Sequence, residues 1–159
     1  YKFINNFNIE QTFLKNESFS DNYVSVSTPE YSDYSELSDY KDCYFVRVGV
    51  PHVIRKLDLN HNDFYNFNLK DLYHDLNNKY EQYFKTRFNV SIIMNNDENI
   101  YIRTYEKGVE DETGACGSAC IASIYNSSKD LNKLITKEGE ILIKNVGFEK
   151  FISSEVNMF

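Results

Sequence analysis

Residues 103–125 read RTYEKGVEDETGACGSACIASIY, and this stretch decides the fold. The end of a strand passes through an acidic turn into a small-residue Cys-Gly-Ser step that opens a helix. Ala119 to Tyr125, ACIASIY, is apolar on every side, which a helix shows only when protein surrounds it. Cys116 stands just ahead of that helix. The backbone N–H groups of Gly117, Ser118 and Ala119 therefore lack intrahelical partners and point towards whatever lies beside the sulfur. Such a position holds a carboxylate well, and it favours a thiolate over a thiol. A cysteine crowded by Gly114, Gly117, Ser118 and Ala119 can equally be a small buried hydrophobe, and the spacing alone leaves both readings open.

Upstream, Asn89 to Met94 and Ile100 to Tyr105 alternate around a polar turn, so they form a hairpin that delivers Glu106 to the motif loop. Leu69, Leu72, Tyr73, Leu76, Tyr80 and Tyr83 recur at helical steps and predict an amphipathic helix of about four turns. Cys43 to Val50, CYFVRVGV, is a strand ending at Gly49 and Pro51, with His52 at its mouth. Ile54 to Leu59 is a further strand, followed by a turn at Asn60 to Asp63. Tyr23 to Ser27 is a strand with one buried face, and the Ser/Asp/Tyr-rich residues 29–41 read as a loop. Residues 1–20 form a lead-in with at most a short strand. Beyond the central helix, Lys137-Glu138-Gly139 turns between two strands, and Phe148 to Val156 is a last one. The sum is an α+β fold: a mixed or antiparallel sheet wrapped around a buried central helix, one barrel-type domain over residues 21–159.

At 159 residues, the chain is one domain or half of a two-domain enzyme. The net charge of −7, with no Lys/Arg cluster, argues against a nucleic-acid surface. No apolar run approaches the roughly 20 residues that span a bilayer. Three cysteines make no disulfide framework and show no metal-ligand spacing with the three histidines, so a reducing cytoplasm and no metal are expected. The opening Tyr-Lys-Phe-Ile lacks the basic and apolar pattern of a secretory signal.

Residues 106–118, EKGVEDETGACGS, resemble the second cysteine motif of the diaminopimelate epimerase family. Gly49-Val50-Pro51-His52 resembles that family's G-x-P-H segment, and Asn89 in RFNVSII resembles its N-V strand, in the family's order and at about its spacing. The resemblance implies conversion of LL- to meso-diaminopimelate, a step of lysine and peptidoglycan-precursor biosynthesis, without a cofactor. It implies two cysteines on opposite faces of the α-carbon, one from each of two pseudo-symmetric domains. Cys116 would then be base for one stereoisomer and acid for the other. Glu106 would be its charged partner and His52 would orient and tune the pair. Asn89, Lys107, Gly117 and Ser118, with Glu106, would contact the substrate.

The chain also departs from the family pattern. Val50 stands where the motif commonly has Asn. Lys107 stands where it usually has Arg, which keeps the charge but loses the bidentate fork. The Cys116-Gly117-Ser118-Ala119-Cys120 step is one residue short, or has Ala119 in place of a Gly. Cys120 falls on the same helical face as Cys116 and reads as packing. No segment resembles the family's first cysteine motif, and Cys43 has a core context. The resemblance covers residues 22–156 and about the C-terminal half of the family's length, so it implies the second domain without its first, and a partner domain or self-association is expected. The alternatives are a non-catalytic relic or carboxylate-binding domain of the same fold, or another cofactor-independent racemase of the same superfamily.

Overall fold

The computed structural model describes the backbone of residues 2–4, 10–14, 23–96 and 98–155, and the side chains of residues 27–96 and 98–154. Its strands are β1 (Lys2–Ile4), β2 (Glu10–Leu14), β3 (Tyr23–Ser27), β4 (Ser32–Glu36), β5 (Cys43–Val48) and β6 (Val50–Lys56). Helices α1 (His61–Asn66) and α2 (Leu69–Phe84) follow, then β7 (Asn89–Asn95), β8 (Asn99–Glu106) and β9 (Asp111–Thr113). Helix α3 (Gly117–Ser123) precedes β10 (Leu131–Thr136), β11 (Gly139–Val146) and β12 (Glu149–Glu155).

Among the described residues the strands form one sheet in the order β1-β2-β3-β12-β11-β10-β8-β7-β6-β5-β4, with β9 paired to β8. Two contacts, β6 with β7 and β8 with β10, are parallel; the rest are antiparallel. A parallel pair needs a crossover, usually a helix. Helices α1 and α2 serve the first crossover and α3 the second. Strand β10 pairs with the first half of β8 (Asn99–Tyr101), and β9 with the second (Thr104–Glu106).

The two helical layers explain why β5 reads as an almost unbroken apolar run. Cys43 and Phe45 pack towards α2, with Val53, Val90, Ile92 and Tyr105. Tyr44, Val46 and Val48 pack towards α3, with Ile54, Ile93 and Ile102. A strand covered on both faces has no polar side to display. Leu134, Ile141 and Ile143, from beyond α3, join the same cluster, so the sheet bends around α3 as the sequence implied. Tyr31 and Tyr44 donate to the carbonyls of Ile121 and Ala122 at 2.6 and 2.8 Å, tying the helix's carbonyl end to the sheet.

Helix α2 covers the span that its periodicity predicts. The Asn68 side chain caps it by accepting from the Asp71 N–H, and it ends at Lys85 in the left-handed region. Helix α1 replaces an expected turn. Its six residues bury only Phe64, too little for an apolar stripe to show, and the signal was the Asn60 side chain, which caps the Asp63 N–H. Strand β4 lies within the expected loop; as an exposed edge strand with a register shift between Ser32 and Ser35, it carries no alternating pattern. Strand β6 runs through Pro51 and His52, because Gly49, at φ 68°, makes the hairpin turn one residue earlier than Pro51 suggests. Residues 1–20, expected to hold at most one short strand, contain two, β1 and β2, because β2 pairs with β3 and β1 adds to its edge. No described helix is long and apolar enough to cross a membrane.

Arg103 and Glu112 hold β8, β9 and α1 together. Two parallel bonds of 2.7 and 2.8 Å join the guanidinium to the carboxylate, and Nη1 also donates to the carbonyls of Phe64 and Phe67. The Arg103 side chain is only 12% exposed and Glu112 29%. Glu112→Ala strands a mostly buried cation, and the expected loss is about 2 kcal/mol, below the fully buried range because the carboxylate meets some solvent. Urea titration of the variant checks this, and Arg103→Met combined with Glu112→Leu should recover most of the loss.

Candidate active site

The side chains at one end of the sheet face α3 because of strand alternation. Val53, Val90 and Tyr105 point towards α2, so His52, Asn89 and Glu106 point the other way. Register brings them together: His52 on β6 pairs with Asn89 on β7, and β8 ends beside them at Glu106. Cys116, the N-cap residue of α3, sits above this row. All of the residues singled out from the sequence lie around this end of the helix.

The contacts form a chain. Ser118 Oγ lies 3.5 Å from Cys116 Sγ and 3.0 Å from His52 Nε2. Thr113 Oγ1 donates to Glu106 Oε1 at 2.6 Å, and the Glu106 carboxylate stands near enough to the Cys116 thiol to act on it electrostatically. Asn89 Oδ1 accepts the backbone N–H of Lys107 at 3.0 Å, which fixes the start of the motif loop and leaves Nδ2 as a donor. Beneath the row, Ser91 and Thr104 share a buried hydroxyl bond of 2.8 Å. Gly114 admits the Glu138 side chain from the β10–β11 turn against the loop, and a Cβ there would collide with it.

Electrostatics correct one expectation. The helix start was expected to favour a Cys116 thiolate. Burial instead raises the thiol, and the Glu106 carboxylate raises it further, against the lowering by Ser118 and the Ala119 N–H. The resting group is a thiol beside a carboxylate. A single short helix offers too little field to offset the desolvation of a half-buried sulfur beside an anion. His52 is fully buried and pushed down to about 4, first by burial and then by the Lys107 ammonium. It is neutral at pH 7, and its Nδ1 has no partner among the described residues. The Lys107 ammonium forms no ion pair among the described residues, leaving a cation available to an anionic ligand. Cys120, beneath Cys116, and Cys43 are buried thiols held high by desolvation, the latter pushed up to about 12. Both are packing, as their sequence contexts suggested. No metal-binding cluster occurs among the described residues.

The chain is 34% identical over 133 residues to a diaminopimelate epimerase of Hydrogenobaculum sp. (strain Y04AAS1), covering 75% of this chain and 47% of that protein. It is 30% identical over 164 residues to a diaminopimelate epimerase of Helicobacter pylori (strain P12), covering 95% of this chain and 57% of that protein. This is a diaminopimelate epimerase-like domain.

The epimerase-like domain spans about half the length of the curated relatives it matches. A search of family models gave no match. Its fold is that of the solved structure of a putative phenazine biosynthesis PhzC/PhzF protein from Clostridium difficile (strain 630), with a TM-score of 0.59 over 94% of this chain and 59% of that one at 15% identity.

A cavity of about 440 Å³ lies at the other end of α3, lined by Tyr34, Tyr44, Lys56, Asn95 and Asn126 among others. None of the Cys116 group lines it, and it holds no comparable chain of thiol, imidazole and carboxylate. Two members of the site escaped sequence reading. Thr113 lies inside the quoted motif, but only the β8–β9 pairing aims its hydroxyl at Glu106. Glu110 likewise looks like one more acidic turn residue until its partners on α2 are seen.

Proposed function

We propose that this epimerase-like domain carries one face of a cofactor-independent site that inverts the α-carbon of a diamino dicarboxylic acid, with diaminopimelate as substrate. The observation that carries the reading is the Cys116 thiol, in contact with Ser118, which His52 holds in turn, beside the Glu106 carboxylate and a Lys107 cation that has no ion-pair partner among the described residues. The thiol passes its proton to Glu106 as the substrate's charged groups arrive. The thiolate then takes the α-proton, and the carbanion is reprotonated from the opposite face. In the reverse direction Cys116 is the donor. Lys107, Asn89 Nδ2 and the N–H groups of Gly117 and Ser118 receive substrate carboxylate, and His52 holds Ser118 in place. The second acid/base comes from outside the described row, from a further domain or a partner. On this reading the protein works in the cytoplasm, in lysine and peptidoglycan-precursor synthesis.

The test is exchange of the α-hydrogen of diaminopimelate in heavy water, followed by NMR. Exchange that depends on Cys116 supports a working half-site. Its absence, with diaminopimelate still bound, supports the second reading, a carboxylate-binding domain without chemistry. That alternative is favoured by Val50, which is 42% exposed at the start of β6 and has no amide to offer a substrate.

A further inference from the structure

Glu110 is held in a way that a solvated turn carboxylate is not. Its φ is 55°, in the left-handed region that non-glycine residues rarely occupy. Its N–H donates to the Glu106 carbonyl at 2.9 Å, and its own carbonyl accepts from the Tyr105 hydroxyl at 2.6 Å. The carboxylate Oε1 accepts from the Tyr73 hydroxyl at 3.1 Å and from the Gly108 N–H at 3.3 Å, and lies 3.5 Å from Arg87 Nη1. Arg87 Nη2 donates in turn to the Tyr73 hydroxyl at 3.1 Å. Tyr73 is on α2 and Arg87 is in the turn that follows it, so the carboxylate joins the motif loop to the helix layer on the far face of the sheet.

An isolated ion pair at this exposure is worth little. Here the pair is part of a web that closes a four-residue loop on itself and fixes backbone in an unfavoured region. The loop begins at Lys107, directly after Glu106. The backbone bond from Glu110 back to Glu106 and the side-chain bond to Gly108 lie on either side of Lys107. We propose that Glu110, held by Tyr73 and Arg87, is a positioning residue that sets where Glu106 meets Cys116 and where the Lys107 cation stands. The assignment of what Glu106 and Lys107 do with a substrate rests on the epimerase reading; the pinning itself does not.

The test uses Glu110→Gly, which tolerates the backbone conformation but removes the carboxylate, and Arg87→Met, which loosens the pin from the other side. The first readout is the pH dependence of Cys116 alkylation by iodoacetamide, followed at that site by mass spectrometry. Glu106 raises the thiol, so its displacement should move the alkylation midpoint to lower pH in both variants. Glu110→Gln keeps an acceptor oxygen for Tyr73 and Gly108 and should restore most of the original profile. The second readout is the Kd for diaminopimelate by calorimetry, expected to weaken about tenfold, the worth of one charged hydrogen bond. Thermal melts confirm that the variants remain folded. Unchanged alkylation profiles in folded Glu110→Gly and Arg87→Met would overturn the positioning role. Failure of the unsubstituted protein to bind diaminopimelate would overturn the substrate reading instead, while the alkylation profiles still decide the pin.

Discussion

Cys116→Ala is expected to remove α-hydrogen exchange on diaminopimelate, a loss on the order of a thousandfold, the usual worth of a positioned acid/base group. The fold should survive. The sulfur is half-buried at the N-cap, and the helix below is held by Ala119, Cys120 and Ile121 in the core. Cys116→Ser should fare little better than Ala, because an alcohol beside a carboxylate is a far weaker acid than a thiol. The pH dependence gives the sharper test. Burial and Glu106 hold the thiol above its ordinary range, so the exchange rate should still be rising with pH beyond neutrality. Glu106→Gln separates catalysis from packing. It should make the thiol ionise at lower pH, since the anion that raises it is gone, and yet slow exchange, since the proton acceptor is gone too. A Gln variant with faster alkylation and undiminished exchange would remove Glu106 from the mechanism.

The second large effect concerns stability and follows from His52. The imidazole is fully buried and pushed down to about 4, whereas in the unfolded chain it titrates near its ordinary value of 6.5. Between those two pH values the unfolded chain binds a proton that the native state refuses. Stability therefore rises with pH across that window: it is complete above about pH 6.5 and lost as the pH falls towards 4. The difference in affinity corresponds to on the order of 3 kcal/mol. Denaturant titrations at about pH 7 and pH 4.5 should show His52→Gln losing much less on acidification than the unsubstituted protein. Parallel losses would mean that the ring takes up its proton in place, with Lys107 giving way.

The same two residues show what could be read from the chain alone. Hydrophobic periodicity determined α2, and the all-apolar ACIASIY run determined that a helix sits inside a sheet. The two-sided burial of β5 follows from a sequence with no polar face. Cys116, Glu106, Lys107 and Ser118 lie within one continuous stretch, so their neighbourhood was legible as soon as the stretch was. His52 and Asn89 came only from resemblance, because nothing local distinguishes a histidine after a strand from an ordinary turn residue.

Helix α1, strand β4 and strand β9 were not legible. Each is short, and each is stabilised by a cap or an edge pairing that imposes no apolar period. The protonation of Cys116 was also beyond the sequence. A helix start predicts a lowered thiol, but the outcome depends on how deeply the sulfur is buried and on which carboxylate reaches it across the sheet. The parallel pairing of β6 with β7 sets His52 against Asn89, and Arg87 and Tyr73 reach Glu110 only through the packing of α2. The sequence by itself determined which residues are chemically capable and which segments must be buried. Tertiary structure decided their charge states and their partners, because desolvation and long-range contacts exist only once separate strands share one surface.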